Sequence, residues 1–269
     1  MKKKSLTLFL LTLSILLVFA LFSCGNNENG SDNSSNTEES SQGNNNDTTG
    51  NNNGNGSANN NDNSISLSDF KIIVETQKTR LAAKKRVQVI YYEPLGKSYY
   101  TEQYTVINDS NSKSAYIKSD AYGSVFEEWY ALSSGNYYKL VKKTGASSDS
   151  YVNDEAYKNL LSKHSFNAAI DDVKNQCLTA FEWFDYAFSN FDSSSIKCTA
   201  ETVDGITIYT MDCSKPDNHT TVTLEVANNL PIKCSFNQWN EEGVNFYTFE
   251  YENIEIPLPT FSDFPTKQQ

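Results

Sequence analysis

Hydrophobic and polar positions divide the chain into three stretches of different character. Behind Lys2, Lys3 and Lys4, the run from Leu6 to Phe22 carries no charge and is dominated by Leu, Ile, Val and Phe. Residues 25–64 are almost wholly Asn, Gly, Ser, Asp, Thr and Glu, with Ala58 the only apolar side chain. From residue 65 onward apolar positions return in short periods. Phe70, Ile73, Val74 and Leu81 fall near one face of a helix that Ser68 would cap. Strand-like alternation then marks Arg86–Tyr92, Tyr99–Ile107, Ser114–Ser119, Val125–Leu132 and Tyr137–Lys142. The gaps between them are too short for parallel crossovers, so an antiparallel meander is expected.

The middle of the domain reads as helical. A short helix is expected over Asp154–Lys163, and Asn167 would cap a longer one with Asp171 and Asp172 in its first turns. Ile170, Val173, Cys177, Phe181, Phe184 and Phe188 recur every three or four residues, a stripe that needs an apolar surface to lie against.

A second meander follows. Asp204-Gly205 signals a two-residue turn between Ile196–Val203 and Ile206–Cys213, which pairs Ile196 with Cys213, Cys198 with Met211, and Ala200 with Tyr209. Cys198 and Cys213 are then diagonal neighbours, about 7–8 Å apart at Cβ, too far for a disulfide in that register. Val222, Leu224 and Val226 share a face with Ile232, Cys234 and Phe236 only if an odd number of residues connects them. A three- or five-residue turn at Asn228-Asn229, with Asn in a left-handed conformation, is therefore expected instead of a two-residue hairpin. Val244–Tyr251 forms a last strand, and the proline-bearing tail from Pro257 runs along the surface or an edge.

The elements add up to an α+β fold: about ten antiparallel strands in a curved, unclosed half-barrel, with an amphipathic helix packed on its concave face. Residues 65–269 would form this single domain, behind a leader over 1–23 and a flexible tether over 24–64. Such a tether cannot bury enough surface to order itself, and as a coil it spans roughly 35 Å.

The apolar run is short for a membrane span and suits a secretory leader. It ends in Leu21-Phe22-Ser23-Cys24, which resembles the lipobox of bacterial lipoproteins; an ordinary secretory leader and an uncleaved anchor helix are the alternatives. The lipobox resemblance implies cleavage before Cys24, acylation of its thiol, and a lipid anchor on the outer side of a membrane in the cell envelope. Each buried methylene of that lipid contributes about 0.8 kcal/mol.

Near the carboxyl end, Asn228-Asn229-Leu230-Pro231-Ile232-Lys233 and the closing run Phe246–Ile254 followed by Ile256-Pro257 resemble the LolA/LppX-like envelope lipoproteins. That resemblance implies an open barrel whose hollow takes up acyl chains or other apolar ligands, with no catalytic residues to carry over. The arginine by which LolA handles its cargo has no assignable counterpart, so carriage of lipoproteins is not implied.

Composition narrows the chemistry further. A net charge of −11 argues against nucleic acid and against docking to anionic lipid through a basic patch. Cys177, Cys198, Cys213 and Cys234 permit two disulfides in three connectivities, or four buried thiols. No close pairing of ligands suggests a metal, and no cofactor motif is present. His164 and His219 stand in polar surroundings. Glu127 and Glu128 point to opposite faces of one strand, while Asp171-Asp172 and Glu241-Glu242 read as a helix start and a turn. An enzyme is not expected; an envelope hydrolase would need carboxylates from distant parts of the chain.

Sixteen Tyr and 15 Phe are the unusual counts. Tyr100, Tyr104 and Val106 share a strand face with Glu102 between them, as an amphipathic strand under a helix or as the wall of an aromatic groove. The candidate groove is Tyr100 and Tyr104 with Phe181, Phe184 and Phe188. The expected role is a non-catalytic binding module for hydrophobic or amphiphilic envelope molecules. The alternative is a structural or interaction lipoprotein, an adhesin or an envelope-complex subunit without a small ligand.

Overall fold

The computed structural model describes residues 63–267 except 96–97, 111, 122, 146–153, 216–217 and 239–242. The leader, Cys24 and nearly all of the expected tether lie outside the described residues, as does Glu241-Glu242.

The domain opens with β1 (Ser64–Ile65) and α1 (Leu67–Ala82), then runs through β2 (Arg86–Leu95), β3 (Ser98–Asn108), β4 (Lys113–Ala121), β5 (Ser124–Ser133), β6 (Asn136–Thr144) and β7 (Glu155–Leu161). Helices α2 (Lys163–Gln176) and α3 (Glu182–Asn190) follow. The chain returns through β8 (Ile196–Val203), β9 (Ile206–Lys215), β10 (Asn218–Ala227), β11 (Leu230–Gln238) and β12 (Asn245–Glu250). All twelve strands join one unclosed antiparallel sheet in the order β1-β8-β9-β10-β11-β12-β2-β3-β4-β5-β6-β7. The fold is α+β, with a large antiparallel sheet and few helices.

One face of the sheet shares its core with the helices. Phe70, Val74 and Leu81 of α1, Phe166, Ile170 and Val173 of α2, and Phe184 of α3 form a single buried cluster with Val87, Val89, Met211, Val222, Leu224 and Phe249. Each fully buried Phe contributes about 1.5–3 kcal/mol relative to exposure. On the opposite face a smaller cluster gathers Tyr116, Trp129, Leu140 and Phe264. Phe264 belongs to the tail, which crosses that face and reaches the free edge of β7. There the Lys158 N–H donates to the Pro265 carbonyl at 2.9 Å, and the Lys267 N–H donates to the Lys158 carbonyl at 3.1 Å. Edge groups that would otherwise recruit a foreign strand are thereby occupied.

Several local expectations need correction. The cap of α1 is Ser66, not Ser68: its Oγ accepts from the Asp69 N–H at 3.1 Å and donates to Asp69 Oδ2 at 2.6 Å, so the helix begins two residues earlier. Most of the segment expected as the Asp154–Lys163 helix is β7, because ladder pairing to β6, from Tyr137↔Leu161 to Lys143↔Glu155, outweighs a local helical pattern.

The long helix starts at Lys163 under a Ser162 cap, so Asp171 and Asp172 lie in its exposed middle instead of its first turns. Its stripe is also not continuous. After Cys177 the backbone tightens into a 3₁₀ turn over Thr179–Phe181 before α3 begins. The turn at Asn228-Asn229 has two residues, both left-handed at φ 51° and 63°. The odd count is supplied inside β11, where the register slips between Glu225↔Lys233 and Val226↔Pro231 and leaves Ile232 as a bulge.

Candidate functional site

Period-2 alternation on β3 sets Tyr100, Glu102, Tyr104 and Val106 on the helix side of the sheet. The register carries Val87, Val89, Tyr91 and Glu93 of β2 to the same side, and Tyr247 and Phe249 of β12 beside them. Because β12 lies between β11 and β2, rings from both halves of the sequence meet. Tyr100 lies 6.1 Å from Tyr91, and Tyr91 4.7 Å from Tyr247, between ring centroids. Tyr247 is 4.8 Å from Trp183 of α3, and Trp183 is 5.3 Å from Phe236. Tyr186 ends the chain 6.4 Å from Phe236. Five of these six rings are half-buried and Tyr186 is exposed. These spacings are those of favourable aromatic pairs, so the row is a packed, partly exposed aromatic surface.

Carboxylates border the row. Glu93 accepts from the Tyr91 hydroxyl at 3.2 Å. Glu102 accepts from the Tyr104 hydroxyl at 2.5 Å and also from that of Tyr100. Further along the same face, buried Glu128 accepts from Tyr130 and pairs with Lys139 Nζ at 2.7 Å. Burial, reinforced by Glu93 for Tyr91 and by Glu102 for Tyr100 and Tyr104, pushes these phenols far above their ordinary range. Burial also takes Tyr247 up to about 12. At neutral pH the row therefore presents protonated phenols, which donate hydrogen bonds and carry no charge.

The structure distributes the expected groove residues unevenly. Tyr100 joins the ring row, and Tyr104 sits at its inner end with 8 % of its surface exposed. Phe181 and Phe184 are fully buried core residues, 6.3 Å apart. Phe188 is half-buried against Phe70 and beneath Lys71 Nζ, which lies 4.9 Å from its ring centre. Tyr91, Glu93, Trp183, Phe236 and Tyr247 were not legible as partners of Tyr100. The only available signal was alternation, which assigns a face but not a neighbouring strand.

Chemistry of other kinds is thinly supplied. Glu127 and Glu128 lie on opposite faces, Glu127 accepting from Tyr116 at 2.7 Å on the tail side. The exposed His219 Nε2 lies 2.6 Å from Asp212 Oδ1, and His164 is exposed on α2. All four cysteines from Cys177 onward are buried free thiols. Among the described residues no group of three or more His, Cys, Asp or Glu could hold a metal ion. No family model matches the chain, and no curated protein is similar enough to count as a relative. The geometry of the ring row therefore carries the functional argument alone.

Proposed function

We propose that the chain is a non-catalytic envelope lipoprotein, held outside the cytoplasm by lipid on Cys24, that binds amphiphilic or hydrophobic envelope molecules on the helix side of its sheet. A twisted sheet of twelve strands curls, and in this reading it is a LolA/LppX-like half-barrel with the helices in its hollow. The observation that supports the reading is the row Tyr100–Tyr91–Tyr247–Trp183–Phe236–Tyr186, partly exposed beside Glu93 and Glu102. Tyr and Trp offer a large apolar body with a polar tip, the surface an amphiphile needs at its head-to-tail junction.

Native mass spectrometry of gently extracted protein tests the proposal, together with a fluorescent fatty-acid titration. A co-purifying lipid is expected, as is saturable binding that weakens at least tenfold in Trp183→Ala and in Tyr91→Ala. Absence of both lipid and affinity, or affinity untouched by either substitution, ends the proposal.

One observation favours a structural or interaction role instead. Phe181 and Phe184 are both 0 % exposed, so the centre of the helix-side face is filled. Chemical cross-linking in intact cells separates the two readings. A discrete cross-linked protein partner, found without any bound lipid, supports the interaction role.

A further inference from the structure

Away from the ring row, α1 and the ends of two hairpins enclose a cleft of about 450 Å³, within the range of small-molecule sites. Thr76, Gln77 and Arg80 come from α1, while Thr207, Tyr209 and Asn229 come from the sheet side. No Asp or Glu lines it, although the chain carries a net charge of −11.

Arg80 is one of only two arginines in the chain. The other, Arg86, is neutralised by Asp109, Nη2 to Oδ2 at 2.6 Å. Arg80 has no carboxylate partner among the described residues. Its Nη1 donates to the Asn229 carbonyl at 3.1 Å. Gln77, 5 % exposed, braces the same group. With its amide oriented to satisfy both ends, Gln77 Nε2 donates to the Asn229 carbonyl at 3.1 Å and Oε1 accepts from Arg80 Nη1 at 3.0 Å.

The guanidinium is thus fixed on one side by neutral acceptors, while Nε and Nη2 have no partner among the described residues. Two adjacent N–H groups of a fixed guanidinium match the two oxygens of a carboxylate or phosphate. The half-buried Tyr209 hydroxyl is a further donor without a described partner. Beyond Gly205 the space is open, since a Cβ built there would meet no atom within 4 Å.

We propose that this cleft is a second ligand site, for an oxyanion carried on a small hydroxylated body such as a phosphorylated or carboxylated sugar or glycerol unit. Arg80 holds the oxyanion through its free pair of donors, and Tyr209, Thr207 and the backbone at Asn229 meet the hydroxyls. The site is independent of the ring row, so Trp183→Ala leaves it intact.

Isothermal titration of the full-length protein with glycerol 3-phosphate and with glucuronate tests the proposal, with glycerol and glucose as neutral counterparts. Saturable binding of at least one anion is expected, weakened at least tenfold in Arg80→Gln, with neither neutral compound binding. Arg80→Gln also removes a support of the Asn229 turn. Thr207→Glu is therefore the second variant: it places a competing carboxylate in the cleft and leaves both braces of Arg80 untouched. It should abolish anion binding while circular dichroism and the thermal midpoint stay close to those of the parent. No saturable binding of either anion, equal binding of the neutral compounds, or unchanged affinity in a folded Thr207→Glu protein would overturn the proposal.

Discussion

The indole Nε1 of Trp129 donates to the carbonyl of Pro257 at 3.0 Å, joining β5 to a segment 128 residues further along the chain. Around this bond Trp129 lies 5.4 Å from Tyr116 and 5.9 Å from Phe264 between ring centres. The tail is therefore fastened to the sheet face opposite the helices by both packing and a hydrogen bond.

Trp129→Phe keeps most of the ring contact and removes the donor, so it should cost about 1 kcal/mol. Phe264→Ala removes a fully packed ring and should cost about 3–5 kcal/mol. Urea unfolding monitored by circular dichroism reads both. A smaller loss for Phe264→Ala than for Trp129→Phe would show that the tail is not part of the core.

Glu128 is the buried carboxylate most dependent on its neighbours. Glu128→Ala strands the Lys139 ammonium and the Tyr130 hydroxyl together. A loss of about 3 kcal/mol is expected, the low end for a broken buried pair, because the Lys139 side chain is 29 % exposed. Glu128→Gln keeps an acceptor for Tyr130 and should cost roughly 1–2 kcal/mol. The order of the two variants in chemical denaturation is the check, and a reversed order contradicts the assignment.

The thiols set an alkaline limit to stability. Burial pushes Cys198 up to about 11 and Cys177 and Cys213 up to about 12, against an ordinary value of 9.0. Above pH 9 the unfolded chain loses these protons while the folded one keeps them, so the unfolded state binds fewer protons and stability falls as pH rises. The loss begins near pH 9 and continues toward pH 12, at up to about 1.4 kcal/mol per pH unit for each thiol. Buried phenols add to it above about pH 10. Urea midpoints at pH 7.5, 9 and 10.5 should fall in that order, with a shallower fall in Cys213→Ala. A flat profile to pH 10.5 would refute thiol linkage.

In the proposed reading the lipid anchor depends on Cys24. Cells fed an alkyne-bearing fatty acid should label the wild-type chain and not Cys24→Ser, and the variant should leave the membrane fraction. Persistent labelling of Cys24→Ser would move the lipid elsewhere.

The sequence revealed the fold best where local geometry and apolar alternation agree. Asp204 and Gly205, at φ 51° and 80°, form the two-residue turn expected of them. They fix the β8–β9 register at Ile196↔Cys213 and Cys198↔Met211. At Asn228-Asn229 the odd count that alternation requires comes from the bulge at Ile232 and not from a longer turn, because a two-residue turn with both Asn left-handed closes the hairpin. Strand β7 was illegible because edge pairing and the tail beside it make it a strand, and neither is a local property. In the ring row, alternation placed Tyr100 and Tyr104 on one face. The approach of Tyr247 and Trp183 to Tyr91 depends on where β12 inserts, which no periodicity encodes.

Strand β12 supplies six residues to a sheet of twelve strands, yet it alone bridges β11 and β2 in the ladder order. Everything from β2 to β7 and from β8 to β11 can zip up by neighbouring hairpins as it emerges. The seam between the two halves waits for a piece made near the end of synthesis. Until it arrives, two borders stand unmated, and the growing chain meets its surroundings in that half-assembled form. Assembly speed should thus be governed at this seam, with substitutions in β12 slowing renaturation far more than equally costly ones in the β5–β6 hairpin.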